Sequence, residues 1–140
     1  EFDMIIASHI IEHFMKDEIL EFLDLIYKSL KPGGMVLIIT PNASSFSGVV
    51  NIFSDFTHEV AFTSTSLKQV MEVCNFSDIV VKGEYPVVYD FKSALRVIMW
   101  RVYTMFYHIF VIIEQGTGRG LFTIPKIYAP TIYAVGVRKI

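Results

Sequence analysis

The chain has one cysteine, Cys74, so an internal disulfide is excluded and the composition fits a reducing, cytoplasmic setting. Cys74 closes an amphipathic run that begins at Ser66, where it reads as a small core residue. Basic residues are scarce as well as scattered. Twelve Lys and Arg stand against fourteen Asp and Glu, for a net charge of -2. No face collects the cationic stripe that phosphate neutralisation needs, which argues against nucleic acid as the main partner. No signal-peptide pattern opens the sequence, no period repeats, and no low-complexity tract occurs. What is abundant is apolar surface: 53% of 140 residues, enough for the core of one domain.

The stretch from Phe2 to Asn42 organises the rest. Met4 to Ala7 and Met35 to Ile39 are short apolar runs of the kind found in parallel strands buried on both faces. Between them Ile19, Leu20, Phe22, Leu23, Leu25, Ile26 and Leu30 recur at helical spacing, with Lys16, Asp17, Glu18, Glu21, Asp24 and Lys28 mostly opposite. Lys31-Pro32-Gly33-Gly34 is a turn signal, in which proline stops the helix and glycine supplies positive φ. One βαβ unit follows, with the right-handed crossover such units adopt. Asp3, where the first strand enters the sheet, is expected to bond neighbouring backbone.

Phe2-Asp3 opening an apolar strand, Glu12-His13 just past its tip and Leu30-Lys31-Pro32-Gly33-Gly34 before the next strand resemble strand four, the following helix and strand five of class I S-adenosylmethionine-dependent methyltransferases. The branch most resembled is that of small-molecule O-methyltransferases, including the ubiquinone-biosynthesis enzymes. Asp55-Phe56-Thr57-His58, Phe62-Thr63 and the helix-like Ser66 to Cys74 extend the likeness to about residue 84, and Thr131 to Arg138 adds a last strand. The fold implied is α/β: a partial Rossmann-like sheet in the spatial order four, five, seven, six, the last strand antiparallel, with a helical insertion. The resembled fold holds its cofactor mainly on a glycine-rich turn after strand one and an acidic residue after strand two. Residues 1–140 are therefore expected to be the carboxyl-terminal portion of one methyltransferase domain, inactive alone.

The resemblance implies S-adenosylmethionine as cofactor, methyl transfer to oxygen of a small-molecule or lipid-linked acceptor, and cofactor contacts from Ala7, Ser8, His9 and His13 at the carboxyl edge of the sheet. Glu12 and His13, and with them His9, are weak candidates for a divalent metal. His58, oriented by Asp55, has the chemistry of a base that takes a proton from the acceptor. Thr40-Pro41-Asn42 falls on the same edge. Ala43 to Ser54 reads as a short helix lining a pocket, and Thr65 or Ser66 as the N-cap of the next helix.

Two other readings compete for the same residues. His9-Ile10-Ile11-Glu12-His13 matches the H-x-x-E-H pattern of zinc hydrolases, which must lie within a helix, whereas an apolar strand runs up to Ser8. A methyltransferase-like domain without chemistry, serving as a membrane- or partner-binding module, is the other.

Residues 86–130 exceed what a simple hairpin connection would need. Pro86 and Asp90 mark the entry, and Lys92 to Gln115 forms a helix that is apolar on Leu95, Ile98, Met99, Val102, Met105, Phe106, Ile109, Ile112 and Ile113, with Val97, Phe110 and Val111 among the polar residues opposite. It reads as a lid or as an interfacial helix in peripheral membrane contact through 92–115, since Arg96, Arg101 and His108 oppose a simple span. Glu114 to Gly120 imitates a glycine-rich cofactor turn, but Pro125 and Pro130 deny it a following helix. It is expected to be a loop.

Overall fold

The computed structural model describes residues 1–116 and 126–140. The residues of the glycine-rich look-alike from Thr117 onward, and Pro125, lie outside the described residues. Four strands, β1 (Phe2–Ser8), β2 (Leu30–Pro41), β3 (Ser77–Gly83) and β4 (Thr131–Val137), form one sheet in the order β1-β2-β4-β3. β1 runs parallel to β2, while β4 is antiparallel to both β2 and β3. This is the expected arrangement of strands four, five, seven and six.

Two helices cover one face of the sheet: α1 (Lys16–Ser29) connects β1 to β2, and α3 (Ser64–Val73) precedes β3. A shorter helix, α2 (Gly48–Phe53), follows β2. Ile19, Leu23 and Ile26 of α1 and Leu67 and Met71 of α3 are buried against Val36, Ile38, Ile132 and Ala134. Cys74 belongs to this core, as its amphipathic setting indicates. Gly136 makes the close approach of α3 possible, because a Cβ there would lie 2.7 Å from Met71 Cε. The N-cap of α3 is Thr63, two residues before Thr65 and three before Ser66, the expected candidates; its hydroxyl accepts the Ser66 amide at 3.1 Å while Ser66 Oγ accepts the Thr63 amide.

The expectation that β1 and β2 are buried on both faces is corrected. Phe2, Met4, Ile6 and Met35 are exposed, and only the alternate residues, Ala7, Val36, Ile38 and Thr40, face the helices. A continuous apolar run cannot distinguish one covered face from two, because both patterns demand the same residues. Lys31 to Gly34 also lies within β2 rather than before it, although Gly33 has the expected positive φ of 78°. Asp3 pairs with Lys31 at 2.8 Å, which draws its carboxyl below the usual range.

The insertion forms α4 (Phe91–Gln115), capped by Asp90, whose carboxylate accepts the Ser93 amide at 2.6 Å. The helix touches the body through aromatic contacts, with Trp100 against Tyr85 at 5.3 Å and Tyr107 against Tyr128 at 5.1 Å.

Candidate functional site

β1 ends at Ser8, and the chain turns sharply at His9, which holds a left-handed φ of 51°. Non-glycine residues adopt that conformation at some cost, and such positions concentrate at functional sites. The His9 amide donates to the Ile39 carbonyl at 2.8 Å, which fixes the turn to the carboxyl end of β2. A single 3-10 turn, Ile11–His13, follows. Ile11 is drawn into the core, which pulls its neighbour Glu12 inside with it. The H-x-x-E-H residues therefore do not lie on an α-helix, and the zinc-hydrolase geometry is absent.

Glu12 is only 2% exposed. Its Oε2 accepts from the Thr40 hydroxyl at 3.0 Å, whereas Oε1 has no hydrogen-bond partner among the described residues; His9 Nδ1 lies 3.3 Å from it without bonding geometry. A buried carboxylate oxygen left in this state is costly and marks a place where a cation or donor belongs. The Glu12 carbonyl also accepts the amides of Glu59 and Val60, which pins the second polar loop over the first.

That loop delivers two further groups. His58 Nδ1 lies 2.8 Å from the Ile52 carbonyl, which can only accept, so Nδ1 carries the proton and Nε2 presents a lone pair. His13 Nδ1 lies 3.1 Å from the Thr57 carbonyl and 2.9 Å from the Thr57 hydroxyl, whose own proton goes to Asp55 at 2.7 Å. The same logic leaves His13 Nε2 free. The two imidazoles are 4.7 Å apart between centroids. One donor atom each from Glu12, His13 and His58 lies within 4.8 Å of the others. Each side chain is oriented by a second group, Thr40, Thr57 or the Ile52 carbonyl, as ligands of a metal usually are.

Asp55 does not orient His58 in the way expected. Its Oδ2 is 4.0 Å from His58 Nε2, and the carboxylate instead accepts the hydroxyl and amide of Thr57. Those bonds, the Thr57 hydroxyl foremost, hold its carboxyl below the ordinary range. Asp55 thus supports His13 through Thr57, and a backbone carbonyl performs the office assigned to it. Backbone carbonyls leave no trace in residue identity, so this role was not legible.

The remaining candidates separate by side of the sheet. Ala7 is buried among the core residues, whereas Ser8 and His9 are exposed at the strand tip. Asn42 is wholly buried and structural: its amide donates to the carbonyls of Ile127 and Ala129, holding the segment before β4. A separate concavity of about 700 Å³ between α3 and β3, lined by Lys68, Glu72, Ile79 and Lys126, shares no residue with the cluster.

The sheet order, with its parallel pair and one reversed strand, joins this geometry to a match with the family described as methyltransferase domain over residues 1–81. The chain belongs to the methyltransferase-domain family. Among solved structures, this methyltransferase domain is similar to an S-adenosylmethionine-dependent methyltransferase of Archaeoglobus fulgidus, with 22% identity, a TM-score of 0.59, and coverage of 98% of this chain and 59% of that one. A Thermotoga maritima protein described as a possible histamine N-methyltransferase gives a TM-score of 0.62 at 15% identity, over 98% of this chain and 56% of that one. Phosphoethanolamine N-methyltransferase 2 of Haemonchus contortus, in complex with S-adenosyl-L-methionine, gives 0.56 at 15% identity, over 100% and 35%. The chain thus spans less than two thirds of the length of each. A search of the curated proteins gives no match.

Proposed function

We propose that the chain is the carboxyl-terminal portion of an S-adenosylmethionine-dependent methyltransferase domain that methylates oxygen of a small or lipid-linked acceptor. The observation that carries this reading is the convergence of Glu12, His13 and His58 at the carboxyl end of the parallel strands, the edge where open α/β sheets bind ligands. The uncovered apolar face of β1 and β2 supports the proposed partial domain, because a doubly wound sheet carries helices on both faces. Structural relatives with S-adenosylmethionine or S-adenosylhomocysteine bound support the cofactor. Ser8 and His9, exposed at the tip of β1, are the contacts assigned to it, with Ala7 behind them as packing and His13 on the acceptor side.

Bound S-adenosylmethionine would supply its sulfonium methyl to the acceptor oxygen, the electron pair of the broken C–S bond remaining on sulfur in the S-adenosylhomocysteine product. His58 Nε2 takes the hydroxyl proton; such a base contributes about 10²–10⁴-fold, less than positioning does. A second reading is favoured by Glu12 Oε1, which has no hydrogen-bond partner among the described residues: Glu12, His13 and His58 would hold a divalent cation, which would supply Lewis acidity to the acceptor hydroxyl.

Calorimetric titration of S-adenosylhomocysteine into the 140-residue chain and into a version extended upstream tests the first reading. Binding by the extended version alone, lost in Ser8→Trp, is expected; binding by neither overturns the enzyme. Titration with Mn²⁺, Mg²⁺ and Zn²⁺ decides the second. A cation that binds the wild type but not Glu12→Gln, and whose removal by chelation stops methyl transfer, gives the cluster to the metal; activity that survives chelation but not His58→Gln gives it to the base.

A further inference from the structure

α4 carries its apolar side outward. Placed at roughly 100° per residue, the residues toward the body, Ser93, Trp100, Thr104, Tyr107 and Val111, centre on one side of the helix. Leu95, Ile98, Val102, Phe106, Ile109 and Ile113 centre on the opposite side, and all six are exposed. Only 6% of the helix's most apolar 18-residue window is buried. A surface helix in water normally does the reverse. The contacts that hold the helix in this attitude are specific: Phe46 meets Tyr103 edge-on at 5.5 Å, Trp100 meets Tyr85, and His108 Nδ1 meets the Tyr128 hydroxyl.

Charge along the same helix indicates what covers the outward stripe. No acidic residue occurs from Phe91 to Ile113, in a chain where acids outnumber bases. Lys92 and Arg96 flank the stripe on one edge and Arg101 on the other, all three exposed. Lys92 and Arg96 border a groove of about 480 Å³ that opens over Leu95, Met99 and Trp100. An apolar stripe rimmed by cations is complementary to a layer of acyl chains beneath anionic headgroups, while another protein surface would have to provide acids at both rims. A transverse span is a poor fit, since the opposite side of the helix is taken up by Tyr85, Phe46 and Tyr128.

We infer that α4 docks the protein on an anionic phospholipid surface, lying in the plane of the interface with Leu95, Ile98, Val102, Phe106 and Ile109 inserted and Lys92, Arg96 and Arg101 at headgroup level. The inference rests on the helix alone, so it stands or falls separately from methyl transfer.

Flotation of the chain with phosphatidylcholine vesicles, and with vesicles that also contain phosphatidylglycerol, tests it. Binding is expected to the mixed vesicles, to weaken with salt, and to fall about tenfold or more in Val102→Asp. Arg96→Gln and Arg101→Gln are each expected to weaken it about fivefold, with little change on phosphatidylcholine alone. Orientation has its own readout. The chain's one tryptophan, Trp100, faces the body; in a Trp100→Phe background, Ile98→Trp should be quenched strongly by brominated lipid, and the wild type weakly. Equal binding by Val102→Asp, an unquenched Ile98→Trp, or no binding to either vesicle overturns the inference. So does a lipid-free dimer that Val102→Asp converts to monomer, which would give the stripe to a second copy of the chain.

Discussion

α3 and α4 begin in the same way and end in opposite relations to the protein. Each opens on a capping box, Thr63 with Ser66 and Asp90 with Ser93, and each has an apolar stripe at helical spacing. α3 turns Leu67 and Met71 into the core, fully buried beneath Phe76 and Gly136. α4 turns Ser93, Trp100 and Tyr107 inward and leaves its aliphatic side exposed among the described residues. Capping and periodicity determine that a helix forms; they do not determine which side of it is used. α3 derives its stability from the sheet, whereas α4 depends on its cap and a few aromatic contacts.

The contrast is sharpest in side-chain truncation. Leu67→Ala, at a fully buried site, should cost about 2–5 kcal/mol in denaturant unfolding. Val102→Ala, about half exposed, should stay within about 0.5 kcal/mol in aqueous buffer. Equal effects would mean that α4 is covered in solution. Gly136→Ala comes next, at about 1–3 kcal/mol, because the new methyl meets Met71 and Phe76 where α3 rides on β4. A neutral result would show that α3 can lift from the sheet.

Caps give a smaller effect and separate the helices by cooperativity. Thr63→Ala should lower global stability by about 1 kcal/mol, since α3 melts with the core. Asp90→Ala should reduce far-UV helical signal while leaving the main unfolding transition where it was. Acidity should act on the same cap. The Ser93 amide, and after it the Ser93 hydroxyl, lowers the Asp90 carboxyl below its ordinary 3.8. Because the folded-state value is the depressed one, the cap's contribution is complete above 3.8 and is lost as pH falls through the lower folded value. Helical signal from α4 should therefore decline on acidification below about pH 4, and Asp90→Asn should remove that dependence.

The parallel pair, the helix between its strands and the reversed last strand were legible because each element carries its own periodicity and its own punctuation, from the positive φ of Gly33 to Asp90 at the entry of α4. Of the candidate site, Glu12, His13 and His58 were legible as polar residues beside apolar runs. Their partners were not. Thr40 and Thr57 are ordinary threonines in sequence, and the Ile52 carbonyl belongs to a residue that advertises only hydrophobicity.

Local pattern thus determined which segments become helix and strand, because backbone preference and side-chain period act over a few residues. Tertiary structure alone decided that Ile11 would carry Glu12 into the interior beside two histidines from separate loops, that one sheet face would be covered and the other left exposed along β1, and that α4 would show its apolar side outward. Those outcomes depend on contacts between residues tens of positions apart, such as Glu12 with Thr40, His13 with Thr57 and Phe46 with Tyr103. No window of sequence contains both partners.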